Sequence, residues 1–332
     1  MPADTARTYL VTGALGCLGA WTVASLVADG KAVVGLDQAH DSRRLRQLMS
    51  DDDFSKVHVV SADITDTDAL ERLLVERDIT NLIHLAALQV PFCRADPVRG
   101  ALVNVGGTAA VFEAVRRGSR VERVVYASSI AIYDAADADP ESELVVAETA
   151  GHPTTLYGVY KQANEGTARV NWLDYGTSSI GLRPPSIYGF GRDQGMTSTP
   201  TKAMIAAVLG LPYRITFGGR ALFQYAEDTA RTFITASESA LVGPHLFNLP
   251  GSLMDMDEIV AAIEVAVPAA AGTITHDAGT LPFPDHFDSL GLEQIGALHS
   301  TTFEQGVAAT VERARFLLSG GRLDAREQGI GA

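Results

Sequence analysis

The sequence predicts an α/β protein whose larger part is a doubly wound parallel β-sheet. Short apolar runs alternate with helical patterns through the first half of the chain. The strand cores at 32–36 and 123–127 are apolar on both faces, which is typical of parallel strands covered by helices on both sides. A glycine-rich turn separates the first strand from the first helix, an arrangement common in such sheets.

The length of 332 residues exceeds what one hydrophobic core usually serves, so we expect a second domain. Residues 1–182 and 222–248 are predicted to form a Rossmann domain that binds a dinucleotide. Residues 183–221 and 249–320 are predicted to form a smaller C-terminal α/β substrate domain. Residues 321–332 are expected to be a mobile tail.

Hydrophobic periodicity places the individual elements, because strands repeat every two residues and helices about every 3.6 residues. Strands are expected at 9–12, 32–36, 57–60, 81–84, 123–127 and 179–182. Helices are expected at 17–29, 42–50, 66–77, 98–117, 155–175, 199–209, 228–239 and 302–318. Strand–helix units repeated in this way build a parallel sheet through right-handed crossovers.

Composition excludes several classes of protein. The net charge of −14 and the pI of about 4.9 would repel a phosphate backbone, so we expect no nucleic-acid partner. Cys17 and Cys93 are too few for a disulfide framework or a zinc site, which predicts no metal and a reducing cytoplasm. The uncharged stretch 10–28 contains three glycines, which favours a buried strand and helix over a membrane span.

The glycine turn at 12–19 is the first candidate site. Glycines at this point let the backbone approach a pyrophosphate, whose charge is met by N–H groups at the helix N-terminus. A plain structural turn is the alternative. Asp37 ends the second strand, where a carboxylate binds ribose hydroxyls and repels a 2′-phosphate; this favours NAD, although Arg43 and Arg44 leave NADP open. The predicted cofactor contacts here are Gly13, Leu15, Gly16, Cys17, Leu18, Gly19, Asp37 and Gln38.

Tyr157 and Lys161 are the candidate acid–base pair. Their spacing of four places both side chains on one face of the predicted helix 155–175. An ammonium beside a phenol favours the phenolate, so we expect Lys161 to lower the pKa of Tyr157. Chance spacing is the alternative, and Tyr160 points elsewhere. Ser128 or Ser129, at the carboxyl end of the fifth strand, is placed to hold the reacting oxygen.

Taken together, these motifs resemble the extended short-chain dehydrogenase/reductase family, also called the NAD-dependent epimerase/dehydratase family. The resemblance covers about residues 8–250 and rests on 12–19, 63–64, 84–87, 104–108, 128–133, 157–161 and 183–189. It implies that Ser129, Tyr157 and Lys161 are catalytic. It implies further cofactor contacts from Asp63, Ile64, Leu85, Ala86, Ala87, Asn104 and Pro184. It also implies a homodimer formed through the helices 98–117 and 155–175.

The sequence departs from the family's pattern at substrate positions. Ile130 and Ala131 stand where 4,6-dehydratases carry Asp-Glu, so elimination of water is not expected. Nucleotide-sugar epimerases commonly have Asn at the position of Ser186. They also have Arg at the position of Ala221, seven residues before Asp228, where only the neighbouring Arg220 could substitute. These departures suggest a substrate without a nucleoside diphosphate.

The loop 191–198 is a candidate substrate loop, in which Arg192 could bind a carboxylate with two hydrogen bonds. A solvated loop arginine is the alternative. The full set of predicted substrate contacts is Gln89, Ser129, Ile130, Ser186, Arg192, Met196 and Thr197.

These observations predict an NAD-dependent oxidoreductase that transfers hydride at a secondary alcohol or ketone of a carbohydrate or sugar acid. Two alternatives stay open. One is a nucleotide-sugar epimerase, in which tightly bound NAD oxidises the substrate only transiently. The other is a non-catalytic NAD-binding regulator, because fold alone does not fix function.

Overall fold

The computed structural model describes residues 7–138 and 144–331. Its strands are β1 Thr8–Thr12, β2 Ala32–Asp37, β3 His58–Ser61, β4 Asn81–His84, β5 Arg123–Ala127, β6 Ser178–Arg183, β7 Ser186–Tyr188, β8 Tyr213–Ile215, β9 Arg220–Tyr225, β10 Pro244–Asn248, β11 Ser252–Asp255 and β12 Ile274–His276. Its α-helices are α1 Cys17–Ala28, α2 Arg43–Leu48, α3 Asp51–Ser55, α4 Thr67–Glu76, α5 Val90–Ala95, α6 Pro97–Ala101, α7 Gly107–Arg116, α8 Leu156–Tyr175, α9 Thr199–Leu209, α10 Ala226–Glu238, α11 Met256–Ala266 and α12 Phe303–Ser319.

A parallel sheet of seven strands forms the larger part of the molecule, in the order β10-β6-β5-β4-β1-β2-β3. Strand β1 lies near its middle, with Val11 opposite Gly35 of β2 and Ile83 of β4. The order reverses at β1, which is where ligands bind in open α/β sheets. The predicted fold class is confirmed.

Both faces of this sheet are buried because successive side chains of each strand point to opposite sides. Val11 and Val125 pack in a core with helices α1 and α10, whereas Leu10 and Val124 pack in a second core with α4 and α7. The strands are therefore apolar throughout, as the sequence pattern predicted.

A third core lies outside the large sheet and joins the smaller sheets to α9, α11 and α12. These sheets are β11-β9-β7 and β12-β8. Phe223 and Tyr225 pack in this core with Phe303, although the sequence assigned 222–248 to the larger domain. Strand β10 does pair within the large sheet, and helix α10 packs against that sheet. The domain boundaries remain a prediction.

Two sequence expectations are corrected by local structure. The predicted helix 98–117 is interrupted by a π-helical turn at Leu102–Gly106, between α6 and α7. The predicted mobile tail instead packs on the protein, because Gln328 and Ile330 are buried and Arg322 donates to the carbonyl of Arg46.

The helix predicted at 155–175 begins where Thr155 caps it, since its hydroxyl accepts the N–H of Gly158 at 3.0 Å. It ends at Gly176, which has a left-handed conformation. Across residues 7–138 and 144–331, none of the helices has the length and apolar character needed to cross a bilayer.

Candidate active site

A cavity of about 500 Å³ runs along the carboxyl edge of the large sheet and extends toward the substrate loop. It contains every predicted site residue except Asn104. The predicted residues that line it are Gly13, Leu15, Gly16, Cys17, Leu18, Gly19, Asp37, Gln38, Asp63, Ile64, Leu85, Ala86, Ala87, Gln89, Ser129, Ile130, Tyr157, Lys161, Pro184, Ser186, Arg192, Met196 and Thr197. Residues far apart in sequence therefore share one cleft.

The glycine turn is tightly constrained at two positions. Gly13 has a φ of +69°, and a Cβ on it would lie 2.7 Å from the backbone nitrogen of Ala86. A Cβ on Gly19 would lie 2.0 Å from the carbonyl oxygen of Gly13. Only glycine fits at either point. The turn leads directly into α1, so the N-terminus of that helix faces the cavity.

Asp37 fixes the turn from the neighbouring strand. Its Oδ2 accepts the N–H of Leu15 at 2.9 Å and its Oδ1 accepts the N–H of Ala39 at 2.9 Å. Arg43 and Arg44, which left NADP open in the sequence, both form ion pairs with Asp193, at 3.0 and 2.6 Å. Their charge is directed to the substrate loop, which removes the main argument for a bound 2′-phosphate.

A chain of buried hydrogen bonds holds the backbone after β4. The hydroxyl of Thr12 lies 2.7 Å from Nδ1 of His84 and accepts the N–H groups of Leu85 and Ala86. Burial, and then the charge of Lys161, lower the pKa of His84 to about 3, so its ring stays neutral. The loop that lines the cofactor end of the cavity is thus anchored from beneath.

Asn104 is the one predicted cofactor contact that the structure places elsewhere. Its Oδ1 accepts the N–H of Leu88 at 2.7 Å, and its Nδ2 donates to the carbonyl of Leu88 at 2.9 Å. The π turn at Leu102–Gly106 carries Asn104, which is fully buried behind the loop. It supports the loop rather than lining the cavity.

Tyr157, Lys161 and Ser129 come together at the centre of the cavity. The ammonium of Lys161 donates to the carbonyl of Ala127 at 2.6 Å and lies 5.5 Å from the ring centre of Tyr157. Burial lowers the pKa of Lys161 to about 8. Burial also raises the pKa of Tyr157, while a hydrogen bond with Ser129 and the charge of Arg192 oppose that rise. The expected lowering of the Tyr157 pKa by Lys161 is therefore wrong for this geometry.

Ser128 has a different task from Ser129. Its hydroxyl donates to Glu165 at 2.5 Å, and Glu165 forms two hydrogen bonds with Arg183, at 2.7 and 2.8 Å. This ion pair is almost fully buried and lies one helical turn beyond Lys161. Sequence reasoning missed it, although the spacing of Glu165 from Lys161 was visible.

The end of the cavity beside the loop 191–198 holds an arginine whose charge is not paired among the described residues. Arg192 forms no ion pair with the described residues, and its buried Nε has no hydrogen-bond partner among them. Its Nη2 lies 3.4 Å from the hydroxyl of Thr197. Arg220 is turned to Asp285 at 3.1 Å, so it does not form the clamp with Asp228 considered from the sequence.

Asp228 is also occupied elsewhere, since it accepts the backbone N–H and the hydroxyl of Thr301 at 2.7 and 2.9 Å. Ser186 lines the cavity but offers only a hydroxyl. The diphosphate contacts that nucleotide-sugar epimerases commonly have are thus missing at these positions.

Comparison with known proteins settles the family. The model of the NAD dependent epimerase/dehydratase family matches residues 9–249. A UDP-glucose 4-epimerase of Mycolicibacterium smegmatis is 32% identical over 315 residues, which cover 91% of this chain and 97% of that protein. The chain belongs to this family.

Further relatives agree with this assignment. UDP-glucuronate 4-epimerase 3 of Arabidopsis thaliana is 32% identical over 188 residues, which cover 55% of this chain but only 43% of that protein. The solved UDP-glucose 4-epimerase of Thermus thermophilus, in complex with NAD, has a TM-score of 0.77 and 25% identity, covering 93% of this chain and 99% of that one.

Membership in the NAD dependent epimerase/dehydratase family makes this chain an NAD-dependent enzyme, as the sequence predicted. The cavity fits that cofactor. A cradle that admits no side chain at Gly13 or Gly19 suits a pyrophosphate beside the N-terminus of α1. Asp37 stands at the end of β2, where its charge suits ribose hydroxyls.

Proposed function

We propose that this enzyme transfers hydride reversibly between NAD and a secondary alcohol carbon of a small carbohydrate or sugar acid. The observation that carries the proposal is Arg192, an arginine without an ion-pair partner among the described residues, at the substrate end of a cavity that also holds Tyr157, Lys161 and Ser129. A single guanidinium suits a single carboxylate, which it can bind with two parallel hydrogen bonds. A diphosphate carries more negative charge than a carboxylate, and one arginine would leave part of that charge without a partner.

The chain's own residues would carry the proton chemistry. In the oxidation direction, the phenolate oxygen of Tyr157 accepts the proton of the substrate hydroxyl. Ser129 donates a hydrogen bond to the substrate oxygen that loses this proton. Ser129 lies near enough to Tyr157 to oppose the rise in its pKa, and both side chains line the same cavity. NAD, when bound, supplies the hydride acceptor and a positive charge beside this site.

Lys161 would hold positive charge near the phenolate and bind the nicotinamide ribose. Its anchoring to the carbonyl of Ala127 fixes the ammonium at the sheet edge. The Glu165–Arg183 pair holds Ser128 and so fixes the strand end that carries Ser129.

A nucleotide-sugar epimerase is the second candidate, and the similarity to the UDP-glucose 4-epimerase of M. smegmatis favours it. The same proton chemistry would serve it, but the oxidised sugar would rotate and take the hydride back on its other face. The pairing of Arg220 with Asp285 argues against it, since that arginine is not free to bind a diphosphate. Asp228 is likewise bonded to Thr301 and does not hold an arginine at this point.

The experiment compares uronic and aldonic acids with UDP-sugars as substrates of the purified enzyme, following the absorbance of reduced nicotinamide. Net NADH with a sugar acid supports the dehydrogenase. Inversion of a UDP-sugar without net NADH supports the epimerase and overturns the first proposal.

Arg192→Ala should raise the KM for an acid substrate by at least about tenfold, because a charge-assisted pair contributes roughly 1.5–3 kcal/mol. Arg220→Ala is the matched control, since it removes an arginine that pairs with Asp285 outside the cavity. Its KM should stay near wild type. Equal effects of the two changes would remove Arg192 from the substrate site.

We also infer a homodimer formed through α8 and the segment from α6 to α7. Exposed apolar side chains mark this surface: Val98, Leu102, Val170, Leu173 and Tyr175. Light scattering on the purified protein gives the mass directly. A cytoplasmic location stays a prediction that rests on the two free cysteines.

A further inference from the structure

Asp193, in the substrate loop, is held by two arginines of the cofactor-binding domain. Its side chain is only 6% exposed, and it accepts Nη2 of Arg43 at 3.0 Å and Nη2 of Arg44 at 2.6 Å. Nε of Arg44 also lies 3.2 Å from the same carboxylate. The loop residue is therefore anchored to α2, about 150 positions earlier in the chain.

Arg44 also reaches the glycine turn. Its Nη1 donates to the carbonyl of Leu15 at 3.0 Å, and its Nε lies 3.3 Å from the carbonyl of Gly191. One rigid guanidinium thus connects the turn that would cradle the pyrophosphate to both ends of the Gly191–Asp193 segment. A planar fork with fixed donors suits such a bridge, because it cannot satisfy one side independently of the other.

These contacts form a continuous path between the two ligand ends of the cavity. Asp37 bonds to the N–H of Leu15, the carbonyl of Leu15 bonds to Arg44, and Arg44 bonds to Asp193. Asp193 is the direct neighbour of Arg192. All five residues line the cavity.

We propose that Arg44 and Asp193 are positioning residues that couple NAD occupancy to the order of the substrate loop. When NAD fixes the glycine turn, Arg44 is fixed with it, and Asp193 then holds Arg192 in the geometry that binds substrate. Coupling between two ligand sites is reciprocal, so a bound substrate strengthens NAD binding by the same factor. A purely structural anchor would order the loop equally with and without NAD.

Hydrogen exchange of the full chain, with and without saturating NADH, tests this directly. NADH is the only probe, so the result does not depend on the substrate class proposed above. In the wild type we expect NADH to slow exchange of peptides covering 191–198 by about fivefold or more, the lower range of typical coupling. In Asp193→Asn this slowing should be lost, while fluorescence titration still shows NADH binding.

Arg46→Gln is the matched control, because Arg46 lies on the same helix but pairs with the exposed Asp51 at 3.6 Å. It should retain the full slowing. If Asp193→Asn does not fold, Arg44→Lys decides, since lysine keeps the charge but cannot contact Leu15 and Asp193 together. Unchanged slowing in the variant that is measured, or no slowing in the wild type, overturns the proposal.

Discussion

Replacement of Tyr157 by phenylalanine tests the chemistry at the centre of the site. The change removes one hydroxyl that faces the cavity near Ser129 and leaves the ring in place beside Lys161. The glycine turn that would cradle the pyrophosphate keeps all of its own atoms. The affinity for NADH, measured by fluorescence titration, should therefore stay close to the wild-type value.

The expected loss is in turnover. A positioned acid–base group contributes about 10²–10⁴ in rate, so the Tyr157→Phe variant should lose roughly 3–5 kcal/mol of transition-state stabilisation. NADH formation from the best sugar substrate gives kcat. The wild-type rate of alcohol oxidation should also rise with pH, because burial raises the pKa of Tyr157 and the base form is the one required.

Tyr160→Phe is the control for this change. It removes a hydroxyl from the same helix that donates to the carbonyl of Pro97 at 2.8 Å, away from the cavity. Its kcat should remain near wild type. A Tyr157→Phe variant with kcat within about threefold of wild type would refute the assignment of Tyr157 as the base.

Two further predictions concern the cofactor end and the buried ammonium. Asp37→Ala should weaken NAD binding, because the N–H groups of Leu15 and Ala39 lose their acceptor. It should also narrow the preference for NAD over NADP, because the carboxylate that repels a 2′-phosphate is removed; an unchanged ratio of the two dissociation constants would remove Asp37 from the ribose site. Burial lowers the pKa of Lys161 to about 8, so the unfolded chain binds its proton more tightly and this group destabilises the fold most strongly below that pH. Lys161→Met should abolish turnover. In urea titrations it should nevertheless raise the free energy of unfolding by up to about 3 kcal/mol near pH 7, and by less near about pH 9.5. A gain in the free energy of unfolding that does not change with pH would contradict this prediction.

The parts of the site that could be predicted from the sequence depend on local constraints. Gly13 and Gly19 occupy positions that admit no Cβ, and the spacing of Tyr157 and Lys161 places both on one helical face. Each of these constraints involves only a few residues that are close together in the sequence. The two cores of the large sheet could also be predicted locally, because neighbouring residues of each strand pack into the cores on its opposite faces.

The parts that could not be predicted depend on distant partners. The sequence leaves Arg44 open as a ligand of a 2′-phosphate, but its partner in the structure is Asp193, which no periodicity connects to it. Asn104 lies on a π turn and bonds to the backbone of Leu88, and the periodicity of the sequence does not show this local change of helical pitch. The Glu165–Arg183 pair joins two elements whose packing had to be known first.

The packed tail has a practical consequence for handling the enzyme. Arg43, which holds Asp193, also contacts the carbonyl of Glu327, and Ile330 packs in the large core. Arg326 directly precedes these two anchors, and its side chain is exposed. Trypsin cutting there would release Ile330 from the large core and the Glu327 carbonyl from Arg43, while Ser129, Tyr157 and Lys161 stay in the chain.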